Sequence, residues 1–186
     1  MKFIPAELPG LVIIEPDIYN DERGWFMESF NQRRFDEGLA SLGLSPGIRF
    51  VQDNQSCSLK GVLRGLHYQL EPFAQGKLVS VTKGAAFDVA VDIRRESPTF
   101  GQWFGTELNA TQKRMLWIPA GFAHGFLALE EETHFSYKTT EFYDKAHERS
   151  ILWDDGAIGV QWPELDAYLI SDKDRLAPLL QDAELE

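Results

Sequence analysis

Gly61-Val62-Leu63-Arg64-Gly65-Leu66-His67-Tyr68-Gln69 and Pro119-Ala120-Gly121-Phe122-Ala123-His124-Gly125-Phe126 are the two stretches that decide how this chain folds. Each is an apolar run of strand length, punctuated by glycine, with one histidine inside it. Such a run reads as a buried strand. An imidazole there either faces a strand-lined cavity, as a metal ligand or a proton carrier, or sits in the core with one satisfied hydrogen bond.

Outward from these stretches the same punctuation recurs. Gly24, Gly47, Gly76, Gly84, Gly101 and Gly105 separate further short apolar runs. Residues 11–15, 62–70, 78–82, 87–93, 115–118, 126–129 and 135–139 read as strands. Alternation is cleanest where Phe87, Val89, Val91 and Ile93 are set against Asp88, Ala90 and Asp92. This is the pattern of an antiparallel sandwich or jelly roll rather than of repeated strand–helix units. Two short helices are predicted. After Asn31, which can cap, Phe35, Leu39 and Leu42 share one face; a second helix follows Ser171. No repeat and no linker divides the chain, so residues 1–186 read as one domain. Within it, 1–50 is an N-terminal arm, 51–162 the barrel core and 163–186 a C-terminal segment.

Composition narrows the function classes. Lysine and arginine number 18 against 29 aspartates and glutamates, a formal charge of −11. That field disfavours nucleic acid and anionic lipid, though not a small phosphorylated ligand in a locally basic pocket. Cys57 is the single cysteine, so no intrachain disulfide is expected and a reducing compartment fits. No stretch has the length and apolarity of a membrane span or signal segment, and the expected location is the cytoplasm.

The cupin jelly rolls resemble this chain at both histidines. Their first motif opens with Gly, five residues, then His-x-His; the second is Pro-x-Gly-x-x-His. Here Gly61 precedes His67 at that spacing, and Pro119-x-Gly121-x-x-His124 follows. The resemblance implies an all-β, cupin-like double-stranded β-helix with a few short helices. Gln69 stands where the second motif histidine would be, and no glutamate lies at the expected spacing beyond it. Two imidazoles and an amide are a poor donor set for a divalent cation. His134 and His147 lack ligand spacing and read as structural or exposed. No metal and no organic cofactor are expected.

A metal-free barrel histidine can act as a general base, best when a carboxylate fixes its tautomer. A lysine nearby can stabilise a developing enolate, and a tyrosine opposite can return a proton. Lys77 shares parity with Val79 and Val81, and Tyr137 alternates with Phe135 and Thr139, which sorts these residues by face and no more.

The chain resembles the dTDP-4-dehydrorhamnose 3,5-epimerase family from end to end. The resemblance rests on Asp21-Glu22-Arg23-Gly24, Phe50-Val51-Gln52-Asp53-Asn54, Leu63-Arg64-Gly65-Leu66-His67, Gln75-Gly76-Lys77-Leu78-Val79 and Phe87-Asp88-Val89-Ala90-Val91-Asp92. It continues through Ser97-Pro98-Thr99-Phe100-Gly101, Trp117-Ile118-Pro119, Gly121-Phe122-Ala123-His124-Gly125-Phe126, Tyr137-Lys138 and Ile151-Leu152-Trp153. What it implies is a homodimer acting on a dTDP-4-keto-6-deoxy sugar, without cofactor. His67 is the implied base, Asp174 its carboxylate, Lys77 the group beside the C4 oxygen and Tyr137 the opposing proton donor. Arg23, Glu28, Gln52, Asn54, Arg64, His124, Glu148 and Lys173 match substrate-contacting positions, and in the family the N-terminal segment crosses to the partner subunit.

Plainer roles compete for several of these residues. Tyr137 could be a core aromatic, His124 could position substrate rather than react, and Ser171-Asp172-Lys173-Asp174 could be a helix-start box. Arg64 has opposite parity to His67, so both reach one cavity only if the strand bends, and Gly65 could permit a bulge. Phe142 stands where similar sequences often carry a second tyrosine. A single-centre epimerase or ketoisomerase, and a non-catalytic sugar-nucleotide-binding jelly roll, are the alternative functions.

Overall fold

Strands this short cannot bury an apolar face alone; the molecule is built by pairing them. The computed structural model describes residues 1–185. In chain order the elements are β1 (Lys2–Pro5), β2 (Val12–Glu15), β3 (Ile18–Asp21), β4 (Gly24–Met27), α1 (Gln32–Ser41), β5 (Gln52–Ser58), β6 (Val62–Gln69), β7 (Lys77–Lys83) and β8 (Ala85–Asp92). They continue with β9 (Trp103–Asn109), β10 (Met115–Ile118), β11 (Phe122–Ala128), β12 (Thr133–Thr139), β13 (Glu148–Ser150), β14 (Leu169–Ile170), α2 (Asp172–Arg175) and a 3₁₀ turn at Leu180–Asp182.

Two sheets carry the fold. One runs β1-β2-β10-β7-β12-β5; the other runs β13-β6-β11-β8-β9, with β14 added parallel to β6. The jelly roll expected from the two histidine motifs is the observed architecture. Between the sheets lie Leu11, Val79, Val81, Leu116, Ile118, Phe122, Phe126 and Phe135, with Phe126 and Phe135 stacked at 4.1 Å. Outside the first sheet, Val12, Ile14, Leu78, Met115 and Trp117 meet Phe35 and Leu39 of α1. Outside the second, Leu66, Tyr68, Val89, Val91 and Ile93 meet Ile151, Ile158, Leu180 and Ala183. The second sheet is therefore covered on both faces, and the first over β2, β10 and the start of β7, while its edge strand β5 turns its outer face to solvent. Each fully buried side chain of this size contributes about 1.5–3 kcal/mol.

The double cover explains the alternation in β8. Its apolar row (Val89, Val91, Ile93) faces outward onto the C-terminal segment, while Ala86 and Ala90 face the interior with Asp88 between them in the same row. Small and polar residues on the inner row leave room there. Both predicted helices form where their caps place them: Asn31 Oδ1 accepts the Arg34 N–H at 3.2 Å, and Ser171 Oγ accepts the Asp174 N–H at 3.2 Å. Of residues 1–50, β1 and β2 complete the first sheet, whereas β3 and β4 form a separate hairpin that leaves Tyr19, Trp25 and Phe26 exposed.

Candidate active site

The site begins with a bulge. His124 on β11 pairs with His67 on β6, but two residues later Phe126 pairs with Arg64, three residues back on β6. Gly65 and Leu66 together thus oppose Gly125. A Cβ on Gly65 would stand 2.5 Å from Gly125 Cα and 2.9 Å from the His124 oxygen; a Cβ on Gly125 would stand 2.7 Å from the Arg64 oxygen. Gly65 also has φ +131, so neither strand tolerates a side chain at the crossing. The extra residue reverses parity between positions 64 and 67. Arg64 turns inward, where its Nε donates to Ser58 Oγ at 3.2 Å and its charge acts on Tyr137.

His67 Nε2 lies 2.6 Å from Asp174 Oδ1. A carboxylate only accepts, so Nε2 carries the hydrogen and Nδ1 is the basic nitrogen. Burial pushes the Asp174 carboxyl up, yet the bonds from His67, Ser171 and the Gly65 N–H outweigh it and hold the group below the usual carboxylate range. Asp174 is thus both the residue behind His67 and part of the helix start capped by Ser171. The two readings of that residue are one geometry.

His124 has its own carboxylate. Its Nε2 is 2.7 Å from Asp88 Oδ1, and Asp88 is wholly buried. Burial drives the His124 pKa down; Asp88 opposes that, while Lys77 and His67 reinforce it. Lys77 opens β7 on the interior row of Val79 and Val81, and its Nζ donates to the His67 carbonyl at 3.5 Å. Burial lowers its pKa to about 8 against the pull of Asp88 and Glu148.

Tyr137 on β12 pairs with Val79 on one side and Asn54 on the other. Burial raises its phenol, with Glu148 adding and Arg64 opposing, so it is protonated at neutral pH. Glu148 on β13 accepts from Lys173 Nζ at 2.6 Å and from the Tyr143 hydroxyl at 3.0 Å. Burial alone would raise its carboxyl, but Lys173 and Tyr143 hold it low. Gln52 Nε2 donates to Asn54 Oδ1 at 2.9 Å on the interior row of the edge strand β5.

The structure therefore gathers His67, Asp174, Lys77, Tyr137, Arg64, His124, Glu148, Lys173, Gln52 and Asn54 around one end of the barrel. Arg23 and Glu28 lie elsewhere. Arg23 is exposed at the β3–β4 turn on Asp21, and Glu28 is bonded to Asn31 at the start of α1. Among the described residues neither has a hydrogen bond or ion pair to the His67 cluster. Three contributors escaped sequence reasoning: Asp88, Ser58 and Tyr143. Asp88 alone carried a signal, a carboxylate centred in an apolar strand. Among the described residues no three His, Cys, Asp or Glu side chains converge as metal ligands.

The family model for dTDP-4-dehydrorhamnose 3,5-epimerase matches residues 5–182. The dTDP-4-dehydrorhamnose 3,5-epimerase of Shigella flexneri is 57% identical over 174 residues, 94% of this chain and 93% of its own. The Legionella pneumophila dTDP-6-deoxy-D-glucose-3,5-epimerase, solved with dTDP-4-keto-L-rhamnose, superposes with a TM-score of 0.91 at 51% identity, covering 97% of this chain and 93% of that one. A 3'-monoepimerase from Streptomyces bikiniensis, solved with dTDP-quinovose, reaches 0.87 at 33% identity over 97% of this chain and 88% of its own, so the fold serves more than one stereochemical outcome. A match that runs nearly the length of a chain whose barrel holds a carboxylate-backed histidine, a buried lysine and an inward tyrosine makes this protein a member of the dTDP-4-dehydrorhamnose 3,5-epimerase family.

Proposed function

We propose that this chain inverts C3 and C5 of dTDP-4-dehydro-6-deoxy-D-glucose, yielding dTDP-4-dehydro-L-rhamnose for dTDP-L-rhamnose biosynthesis. The observation that carries the reading is the His67–Asp174 pair at 2.6 Å, set in a barrel end that also holds Lys77 and Tyr137.

The C4 ketone acidifies the hydrogens on its two neighbours. His67 Nδ1 removes one as a proton; the C–H electron pair becomes the enolate double bond, and the carbonyl pair moves onto O4. Asp174, ionised, stabilises the imidazolium so formed. The Lys77 ammonium offsets the charge on O4, a contribution worth about 3–4 kcal/mol for one such donor. The Tyr137 hydroxyl then delivers a proton to the carbon from the opposite face, and the carbonyl re-forms. One proton leaves and one arrives, so only configuration changes. His67 and Tyr137 return to their starting states by exchange with solvent.

Gln52, Asn54, Arg64, His124, Glu148 and Lys173 contact the substrate in this reading. Arg64 and Lys173 supply the cationic charge that a diphosphate requires within a chain of net charge −11. Arg23 and Glu28 serve the site of a second copy. Their hairpin exposes Trp25 and Phe26, which suits docking on a partner in a homodimer. No cofactor takes part. Among the described residues no helix is long and apolar enough to cross a membrane, and cytoplasmic residence goes with the proposed pathway.

Proton NMR of the dTDP-keto sugar in deuterated water tests the reading. Deuterium entering both C3 and C5, with the L-configured product, supports it. Exchange at one carbon only would make the chain a single-centre epimerase, and none would leave a binding protein.

A further inference from the structure

Among the described residues, Asp88 is the one carboxylate of the barrel interior with a buried oxygen that no hydrogen bond reaches. It sits in the middle of β8, between Ala86 and Ala90 on the inward row, with no exposed surface. Oδ1 accepts from His124 Nε2 at 2.7 Å. Oδ2 is buried and has no hydrogen-bond partner among the described residues. A carboxylate oxygen left so in a protein interior is costly unless a cation lies close enough to compensate it through space. His124 does not supply that cation, because burial keeps its ring neutral.

Lys77 is the other half of the balance. Its side chain is also buried, and among the described residues its one hydrogen bond is to the His67 carbonyl, at 3.5 Å. On its own sheet it pairs with Ile118 of β10 and Thr139 of β12, neither of which can neutralise it. The titratable groups that act on it or stand beside it are His67 from β6, Asp88 from β8, His124 from β11 and Glu148 from β13, with Tyr137 of β12 paired to Val79, the next residue on its row. Two of these are carboxylates. Glu148 is engaged directly by Lys173 and Tyr143. Asp88 has no lysine or arginine ion pair among the described residues, and it acts on Lys77 more strongly than Glu148 does.

We propose that Asp88 is a positioning residue of the epimerase site, whose negative charge keeps the Lys77 ammonium protonated beside the reacting oxygen while its other oxygen locks His124 in the Nε2–H tautomer. Asp88 touches no substrate; it works through Lys77 and His124. The inference rests on the reading that Lys77 stabilises the enolate at O4. It adds a second carboxylate–histidine pair whose purpose differs from the first. Asp174 supports a base that must gain charge during the reaction, whereas Asp88 supports a cation that must be charged before it starts.

The test separates the two readings. The Lys77 midpoint is followed directly by NMR with ¹³Cε-labelled lysine, its resonance assigned by loss in Lys77→Arg. In parallel, solvent exchange at C3 and C5 is measured against pH. In the wild type the Lys77 midpoint and the alkaline limb of the exchange rate both fall near 8. In Asp88→Asn both move down by about one pH unit, which lowers the rate at pH 8 about five-fold. Asp88→Ser serves in its place should the amide fail to fold. His124→Gln removes the ring but keeps the carboxylate, and leaves the Lys77 midpoint where it was. An unchanged Lys77 midpoint in the Asp88 variants overturns the proposal, as does an equal fall in His124→Gln. A lowered midpoint with an unmoved alkaline limb supports the role of Asp88 toward Lys77 and refutes the role of Lys77 toward the enolate.

Discussion

Gly65→Ala is the substitution for which the structure gives the sharpest expectation. The new methyl carbon would stand 2.5 Å from the Cα of Gly125 and 2.9 Å from the His124 oxygen. Both neighbours are backbone, so no side chain can swing aside. Overpacking of this kind costs about 1–3 kcal/mol. The backbone adds a second cost: at φ +131 an alanine occupies a region nearly reserved for glycine, worth about 1–3 kcal/mol more. The sum, about 2–6 kcal/mol, is a large share of the 5–15 kcal/mol typical of a domain. Relief can come only by parting β6 from β11, and that moves His67, together with the Asp174 tied to β6 through β14 and the Gly65 N–H, away from His124 and the rest of the barrel end. A displacement of about 1 Å at a reacting group lowers turnover about 10²-fold. Gly43→Ala is the control, since Gly43 has φ +73 but nothing within 4 Å of its Cβ position; it should cost about 1–2 kcal/mol and leave turnover alone. Denaturant unfolding with deuterium-exchange kinetics reads both quantities. A Gly65→Ala protein as stable and as fast as the wild type would show that the crossing does not hold the base in place.

Other outcomes follow from the same geometry. Asp174→Asn keeps the shape of the pair but removes the charge that supports the imidazolium, so exchange at both carbons should slow by about 10²–10⁴-fold with dTDP affinity little changed, as calorimetry would show. Tyr137→Phe should still wash deuterium into the sugar yet fail to complete inversion; unchanged product stereochemistry and rate would remove Tyr137 from the reaction. Burial works against ionisation of Asp92, but its bonds from Arg94, Ser97 and Thr99 bring its pKa to about 2. Because that folded value lies below the unfolded one, the stabilisation is complete above about pH 4 and is lost as pH falls toward 2. Asp92→Asn should therefore be less stable than wild type at pH 7, and unfolding curves recorded at falling pH should converge.

Much of this architecture was legible because apolar runs and turns report strands directly. Residues 78–82 and 135–139 lie within β7 and β12, and the parity that set Lys77 with Val79 and Tyr137 with Phe135 holds in the barrel. The conflict between Arg64 and His67 pointed to its own solution at Gly65. What was hidden has a physical cause in each case. Strand β5 reads Gln-Asp-Asn-Gln-Ser-Cys-Ser, with no apolar row to betray it, because its inner face lines the polar end of the barrel and its outer face meets solvent. The apolar row of β8 does not face the interior, since the C-terminal segment covers it. Asp88 was half concealed by the same reversal: the carboxylate stands out in an apolar strand, but on a row that reads as outward. Arg23 and Glu28 match by motif, while one chain alone leaves them apart from the cluster they were assigned to.

The central claim is that an imidazole held by a carboxylate takes the hydrogens beside the sugar carbonyl, and His67→Ala tests it most directly. Incubated with the dTDP-keto sugar in deuterated water, the variant should show no deuterium at C3 or C5 by proton NMR while binding dTDP within about three-fold of wild type. Incorporation at the wild-type rate would place the base on another residue.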